Sequence, residues 1–501
     1  MVKRIGLIAG VVVFVAIVCA PPPAGMTPAA RTTAAATLLM ALWWLTEAVP
    51  VAATALIPLV LLPPLGVLGA AEISAPYASE TNMLFLGGLM IATALERWNL
   101  HRRIALNVVS LFGNDLSKLV LGFMVGTAAI SAWISNSATT MMMLPIGLAV
   151  ADHIGHDNPR AGREAAPVLM LAIAYSATIG GIATIVGTPP NAVFVGAFAQ
   201  LFPSAPGIGF LRWMLVGVPI VIVVIPLAWL YLVHVASGLA RHSIKTDPDA
   251  IAGQLDALGP MRTPEKRVLI VFATTALLWM FRRPLELGAL TLPGWSSLLP
   301  EPTMVGDSTV AIAMALVLFM LPAGDGSRER LLTWEAAVKL PWGVIVLLGG
   351  GFALAEAIRV SGLAQWIGAA LSWVGSVPPL VSIVSIALAI SFLTEVTTNT
   401  AITTIMMPVL AASAAAGGCD PLLLMLPCTL AASLCFMLPS GTAPNAIVFS
   451  GGRLTVSYMA RTGIGLNLIA VVVVSIATYV LAVPVFGISL DGAPGWATSL
   501  D

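Results

Sequence analysis

Apolar stretches long enough to cross a hydrocarbon core of about 30 Å recur along this whole chain, from residues 5–20 to residues 463–487. Backbone amides and carbonyls inside such a core must find partners within the protein, and a helix supplies them within one segment. The side chains fit that setting: 58% of the 501 residues are hydrophobic and 9% are charged. A soluble domain carries roughly 25% charged residues, so an ordinary water-facing surface is excluded. The chain reads as one all-α polytopic bundle rather than a string of soluble domains. Net charge is zero and no basic tract occurs, so nothing points to a nucleic-acid partner. Cys19, Cys419, Cys428 and Cys435 lack metal-like or disulfide-like spacing and read as free thiols.

The runs and their breakers place spans near 5–20, 33–48, 51–68 and 83–97, a broken pair at 119–150, an interrupted run at 166–200 and a span at 210–236. A polar connector at 239–266 follows, holding Arg241, Lys245, Asp247, Asp249, Arg262 and Lys266. The pattern restarts with 267–282, 308–322 and 341–359, a broken pair at 379–414, an interrupted run at 421–450 and a last span at 463–487. The basic, apolar N-terminus fits either a signal peptide or a retained first span; Pro21 directly after a cut at Ala20 favours the retained span. Cytoplasmic loops of membrane proteins are enriched in Lys and Arg. With Lys3 and Arg4 inside, alternate loops place all of the 23 Lys and Arg inside except Arg31, Arg212, Arg282, Arg283 and Arg359. That bias survives only if 119–150 and 379–414 each enter and leave on one side. Both are therefore expected to be re-entrant hairpins, the first opening inward and the second outward. The expected setting is the cell inner (plasma) membrane, multi-pass, with a cytoplasmic N-terminus.

The chain also repeats itself. LGGLMIATALERWNL from Leu86 resembles LGGGFALAEAIRVSGL from Leu348, an offset of 262. SAWISNSATTMMMLPI from Ser131 matches TEVTTNTAITTIMMPV from Thr394 at 263, and GTPPNAVF from Gly187 matches GTAPNAIV from Gly441 at 254. Three blocks in one order at nearly one offset mark an internal duplication. Opposite sidedness of the two hairpins makes it an inverted-topology repeat, a common transporter plan. The expected division is residues 1–238 as the first repeat, 239–266 as a cytoplasmic connector and 267–501 as the second repeat.

Ser135-Asn136-Ser137 and Thr398-Asn399-Thr400 fall in the middle of the two hairpins. Three successive polar residues at membrane depth cost several kcal/mol unless paired or facing a wet cavity. One triplet alone reads as helix–helix glue; two related by the repeat, both at hairpin tips, read as a site. A tip frees backbone groups, and the second arm begins there with unsatisfied N–H donors that suit a carboxylate or another oxyanion. Ser131 and Thr394 stand four residues before Ser135 and Thr398, a spacing that stacks hydroxyls on one helical face and offers oxygens to a hard cation such as Na⁺. Gly187-Thr188-Pro189-Pro190-Asn191 and Gly441-Thr442-Ala443-Pro444-Asn445 break the following apolar runs and release carbonyls. Singly each reads as a proline kink, and as a pair they read as discontinuous helices lining a site. No Lys or Arg lies in either tip or break, so a bound anion depends on amide and hydroxyl donors and on co-bound cations.

Other features carry less. Glu47 reads as structurally paired near a helix end, while Glu395 fits either pairing or a functional role. The five His (101, 153, 156, 234 and 242) lie in predicted loops or at span ends, which argues against a proton relay. Gly349-Gly350-Gly351 reads as a close-packing helix segment. No nucleotide loop, metalloprotease helix or nucleophile elbow is present, so the chain is not read as an enzyme and no cofactor is expected.

From WWLTEAVP to GTAPNAIVF, the chain resembles the divalent anion/sodium symporters, the family of di- and tricarboxylate and sulfate carriers. The resemblance implies about eleven spans plus two re-entrant hairpins, a homodimer, and transport by an elevator motion of the hairpin region. It implies one sodium site at Ser131, Ser135, Asn136 and Gly187 and another at Thr394, Thr398, Asn399 and Gly441. Substrate carboxylates would lie on Ser135, Asn136, Ser137, Thr398, Asn399 and Thr400, with Thr188, Pro189 and Thr442 close by. Ser137, Thr398 and Ala443 depart from the family's usual Thr, Ser and Pro, which bears on which anion fits. The expected function is Na⁺-coupled uptake of a C4-dicarboxylate such as succinate, malate or fumarate. Sodium-independent dicarboxylate exchange, carriage of sulfate or another inorganic divalent oxyanion, and an ion channel are the alternatives.

Overall fold

The computed structural model describes residues 2–113, 115–157, 159–237, 249–287, 290–371, 373 and 377–497. Arg241, His242, Lys245 and Asp247 of the polar connector lie outside the described residues. Among the described residues the regular structure is helical, apart from two three-residue strands, Leu285–Leu287 and Leu290–Leu292, paired in one loop. Among the described residues, six helices are long and apolar enough to cross a membrane. They are Ala70–Arg97, Gly162–Ala183, Phe210–Ala236, Trp342–Val360, Asn399–Gly417 and Val456–Phe486. Shorter apolar helices include Leu116–Ser131, Asp307–Met320 and Pro379–Leu393.

Element order repeats with the sequence blocks. A long apolar helix (Glu80–Arg97; Trp342–Val360) leads to a short one (Leu100–Ser110; Leu363–Leu371). A helix–break–helix follows (Leu116–Ser131 and Asn136–Asp157; Pro379–Leu393 and Asn399–Gly417). Next comes an interrupted helix (Pro159–Gly180 and Pro189–Leu201; Leu422–Ala432 and Ala443–Ser450). A long last helix starts at Phe210 in one copy and at Val456 in the other. The two copies interlock. The segment Pro189–Leu201 packs on Asn399–Gly417, and Ala443–Ser450 packs on Asn136–Asp157. Each restarted half-helix is thus held by the other copy's helix–break–helix.

Two local readings differ from the sequence expectation. The span at 51–68 is two short helices, Val51–Thr54 and Ile57–Leu61, followed by a turn through Gly66 at φ +73°. Pro50, Pro58, Pro63 and Pro64 withhold amide donors there and stop a longer helix from forming. The short helices at 100–110 and 363–371 were not anticipated, because a search for continuous apolar runs passes over one-sided stripes. Leu100, Ala105, Leu106 and Val109 are buried while Asn107 and Ser110 are exposed.

Gly349, Gly350 and Gly351 sit on the helix Trp342–Val360 at its closest approaches. A Cβ at Gly350 would collide with the Ala55 carbonyl, one at Gly349 with the Tyr77 ring, and one at Gly351 would lie 2.6 Å from Thr404. The backbone contact cannot yield as a side chain can. Gly253, on the exposed helix Asp249–Asp256, has no neighbour within 4 Å of such a Cβ. Gly350→Val is expected to lower stability by about 1–3 kcal/mol, and Gly253→Ala to be neutral or to raise it by up to about 1 kcal/mol. Thermal unfolding of the detergent-purified variants checks both.

Candidate functional site

The first break runs through Ala132–Ser135. Ser135 starts the second arm as its cap, with the Oγ accepting from the Ala138 amide at 3.3 Å. Trp133 is packed 6.0 Å from the Phe210 ring and 5.0 Å, edge-on, from Phe272, which fixes the turn from outside. Behind it, Ser131 Oγ lies 2.7 Å from both Asn136 Oδ1 and the Ala177 carbonyl. The expected stacking of Ser131 and Ser135 on one helical face does not form. The helix stops at Ser131, so that hydroxyl meets the Asn136 side chain instead.

The second break, residues 394–398, reproduces this arrangement. Thr394 Oγ1 lies 2.7 Å from Asn399 Oδ1 and 3.2 Å from the Ala432 carbonyl. Thr398 caps the second arm, accepting from the Ala401 amide at 3.4 Å. Thr394 and Thr398 likewise fail to stack, for the same reason. In both copies a buried hydroxyl, an Asn carbonyl and a backbone carbonyl converge: an all-oxygen donor set of the kind hard cations take.

The interrupted helices close each cluster from behind. After a turn at Gly181–Ala183 the first one resumes at Pro189. Thr184 Oγ1 donates to the Ala132 carbonyl at 2.5 Å and accepts from the Gly187 amide at 3.1 Å. Asn191 Nδ2 donates to the carbonyls of Gly181 (3.1 Å) and Thr184 (2.8 Å), and Trp213 Nε1 donates to that of Ile182 (2.9 Å). A Cβ at Gly181 would stand 2.6 Å from Asn136 Oδ1, so only glycine lets the tip side chain come so near. In the second copy Thr442 Oγ1 accepts from the Asn445 amide at 3.2 Å, and Asn445 Nδ2 donates to the Leu438 carbonyl at 3.1 Å.

Glu395 sets the two copies apart. It occupies the position of Ala132 in the repeat, is buried, and accepts from three successive amides and one side chain. Its Oε1 takes Phe436 N (2.9 Å), Met437 N (3.0 Å) and Asn467 Nδ2 (2.8 Å), while Oε2 takes Leu438 N (2.9 Å). A Cβ on Gly441 would lie 3.1 Å from Oε2, so the carboxylate forms part of the wall beside that glycine. Of the two sequence readings, pairing accounts for its geometry. Glu47 is also paired, 3.5 Å from Lys3, but both are exposed.

Ser135 is exposed, and Asn136, Ser137, Thr398, Asn399 and Thr400 are half-buried. Ser131, Thr394, Gly187, Thr188, Gly441 and Thr442 are buried and Pro189 is half-buried. The structure therefore separates a polar lip from a buried oxygen cluster in each copy. Among the described residues, Ser137 and Thr400 make no side-chain hydrogen bond to these clusters. A cavity of about 640 Å³ reaches Ser135 and Ala138 and runs to Glu96, Arg97 and Lys339, the end that the charge bias assigns to the cytoplasm. His101 is buried with Nδ1 3.1 Å from the Leu95 carbonyl, and no described His belongs to either cluster.

Sequence reasoning missed Thr184, Trp213 and Asn467, single polar or aromatic groups in apolar runs with no motif around them. Asn191 and Asn445 stood in the repeated G-T-x-P-N block, and their shared place there was the available signal. Glu395→Gln replaces an acceptor of four bonds with a group carrying its own donors against the 436–438 amides. It is expected to destabilise the protein by about 2–4 kcal/mol, against about 1 kcal/mol for Asn467→Ala, as read by thermal unfolding in detergent.

Residues 1–487 match the family described as the sodium:sulfate symporter transmembrane region. The chain is 42% identical over 459 residues to the sodium-dependent dicarboxylate transporter SdcS of Staphylococcus saprophyticus, covering 90% of this chain and 86% of that one. It is 41% identical over 461 residues to SdcS of Staphylococcus aureus, with the same coverage. Two solved structures share the fold at 13% identity. The YdaH transporter of Alcanivorax borkumensis has a TM-score of 0.53, covering 83% of this chain and 88% of its own. MtrF of Neisseria gonorrhoeae has a TM-score of 0.52, covering 98% and 96%. With the family matched over nearly its whole length, this polytopic membrane protein belongs to the sodium:sulfate symporters, a family of transporters rather than enzymes.

Proposed function

We propose that the protein couples inward Na⁺ movement to uptake of a C4-dicarboxylate such as succinate, malate or fumarate. The observation that carries this reading is the pair of polar lips, each backed by a buried hydroxyl–Asn–carbonyl cluster and neither containing a basic side chain. The names of the SdcS relatives add support for sodium and dicarboxylate. One Na⁺ is held by Ser131, Ser135, Asn136 and Gly187 and another by Thr394, Thr398, Asn399 and Gly441. The dicarboxylate spans the lips, one carboxylate on Ser135, Asn136 and Ser137 and the other on Thr398, Asn399 and Thr400, with Thr188, Pro189 and Thr442 beside them.

Coupling follows from charge. A dianion on the lips gains from cations in the clusters behind them, and the cations gain equally from the dianion. In this reading the helix–break–helix elements are re-entrant hairpins of two inverted repeats, residues 1–238 and 267–501, joined by the connector 239–266. The protein is a plasma-membrane homodimer with a cytoplasmic N-terminus. The interlocked hairpins and interrupted helices move together as an elevator.

In proteoliposomes, labelled succinate uptake is expected to follow an inward Na⁺ gradient and to fall to background when choline replaces Na⁺. Uptake into empty vesicles that is indifferent to this exchange would sink sodium coupling. Asn136→Ala and Asn399→Ala each remove a group shared by ion and substrate, and each is expected to cut uptake at least about tenfold, equivalent to about 1.4 kcal/mol. Near-normal uptake by both variants would refute the site.

A further inference from the structure

Five arginines ran against the charge bias, and the structure accounts for three of them. Arg31 donates to the Ala20 carbonyl, and Arg359 pairs with Glu356 at 2.7 Å. Arg282, buried, is bonded through Nε to Asp307 Oδ1 at 2.5 Å and through Nη1 to the Val305 carbonyl at 2.7 Å. Asp307 is then fully engaged, because its Oδ2 accepts from the Phe210 amide at 3.1 Å. Arg212 and Arg283 remain. Both are exposed, and among the described residues neither has a carboxylate within ion-pair distance; the one contact of Arg283 is a 3.5 Å approach to the Gly207 carbonyl. Partial desolvation at the cavity wall and the neighbouring Arg282 guanidinium push the Arg283 pKa down, against the opposing pull of Asp307 and Glu80.

These arginines, some 70 residues apart in sequence, meet at one cavity of about 430 Å³ that Arg212, Arg282, Arg283, Phe210 and Trp279 help to line. A smaller cavity beside it joins Arg283 to Glu80, the first residue of the helix Glu80–Arg97, whereas the Ser135 cavity ends at Arg97. That helix has 18 residues, which at 1.5 Å each puts Glu80 and Arg97 about 27 Å apart. The arginine cavity thus lies toward the end of that helix opposite Arg97. Its wall is also that of the first tip: Phe210 stacks 4.4 Å from Trp279 on one side and packs 6.0 Å from Trp133 on the other.

We infer that Arg212 and Arg283 form an outward-facing oxyanion site, one aromatic layer from the first tip, that takes a carboxylate or phosphate group. Glu80 offsets the charge only in part, and Asp307 is spent on Arg282. Two sources share the chemistry: the transported dianion arriving from outside, and the headgroup of an anionic lipid. The first extends the transport reading above and rests on it. Unneutralised guanidinium groups at a cavity raise the local concentration of a dianion in a salt-dependent way, without entering the site where coupling occurs.

Wild type, Arg212→Gln/Arg283→Gln and Arg212→Lys/Arg283→Lys are compared for Na⁺-driven succinate uptake in vesicles of phosphatidylcholine, with and without phosphatidylglycerol. For the Gln pair the succinate KM is expected to rise about 3–10-fold at low ionic strength and less than about twofold near 0.5 M salt, where charges are screened within a few Å. Maximal rate and Na⁺ dependence stay unchanged, and the Lys pair stays near wild type. A rise in both lipid mixtures assigns the ligand as the free dianion; a rise only with phosphatidylglycerol assigns the lipid. A wild-type KM for the Gln pair in every condition overturns the site. Should wild type itself take up no succinate, it is the transport reading that fails. The site is then judged by Na⁺-free thermal unfolding with inorganic phosphate or phosphatidylglycerol. A stabilisation by either that the Gln pair loses supports it, and equal responses to both overturn it.

Discussion

Breaking a helix at membrane depth frees amides and carbonyls that lipid cannot satisfy, and each one left bare costs several kcal/mol. This protein interrupts four helices, and a distinct set of its buried polar side chains serves the breaks. In the first copy, neutral groups close the interruption: the Thr184 hydroxyl, the Asn191 amide and the Trp213 indole. In the second, the Glu395 carboxylate collects the amides of 436–438 together with Asn467. By the repeat offset Trp213 and Asn467 are equivalent positions, as are Ala132 and Glu395. One backbone problem has two chemical answers, and the second uses a carboxyl group.

Once the breaks are satisfied from behind, their front faces are left for ligand. The lips are exposed or half-buried, while Ser131 and Thr394, the hydroxyls behind Asn136 and Asn399, are buried. The asymmetry places the buried Glu395 side chain beside Gly441 and no acidic side chain beside Gly187. Cross-packing of each restarted half-helix on the other copy's helix–break–helix ties these elements into one body. In the proposed reading, a ligand bound at either lip acts on both copies. Arg212 and Arg283 line a separate cavity, and neither tip holds a basic side chain.

Much of this was legible in the sequence for identifiable reasons. Apolar runs and the charge deficit report the solvent directly, so the membrane class followed from composition, and the family match agrees with it. The tips were found because Ser-Asn-Ser and Thr-Asn-Thr are anomalies in apolar surroundings, and an anomaly repeated at offset 263 is a strong signal. What escaped was whatever lacks contrast or a continuous pattern. The one-sided helices at 100–110 and 363–371 have interrupted apolar faces, and the prolines around 50–64 split a run that hydropathy alone joined. The i, i+4 stacking of Ser131 with Ser135 assumed a continuous helix, and the helix stops at the first hydroxyl.

The sequence by itself determined the solvent, the duplication and the absence of basic side chains at the tips, because composition and repeat spacing do not depend on how the chain is folded. Only the tertiary structure decided which oxygen faces which. It turned Ser131 toward Asn136 and Ala177, spent Glu395 on the backbone of a break 41 residues away, and left Arg212 and Arg283 together at one cavity. These partnerships join residues tens of positions apart through the satisfaction of buried polar groups. That condition is met by three-dimensional packing and leaves no period or motif to read.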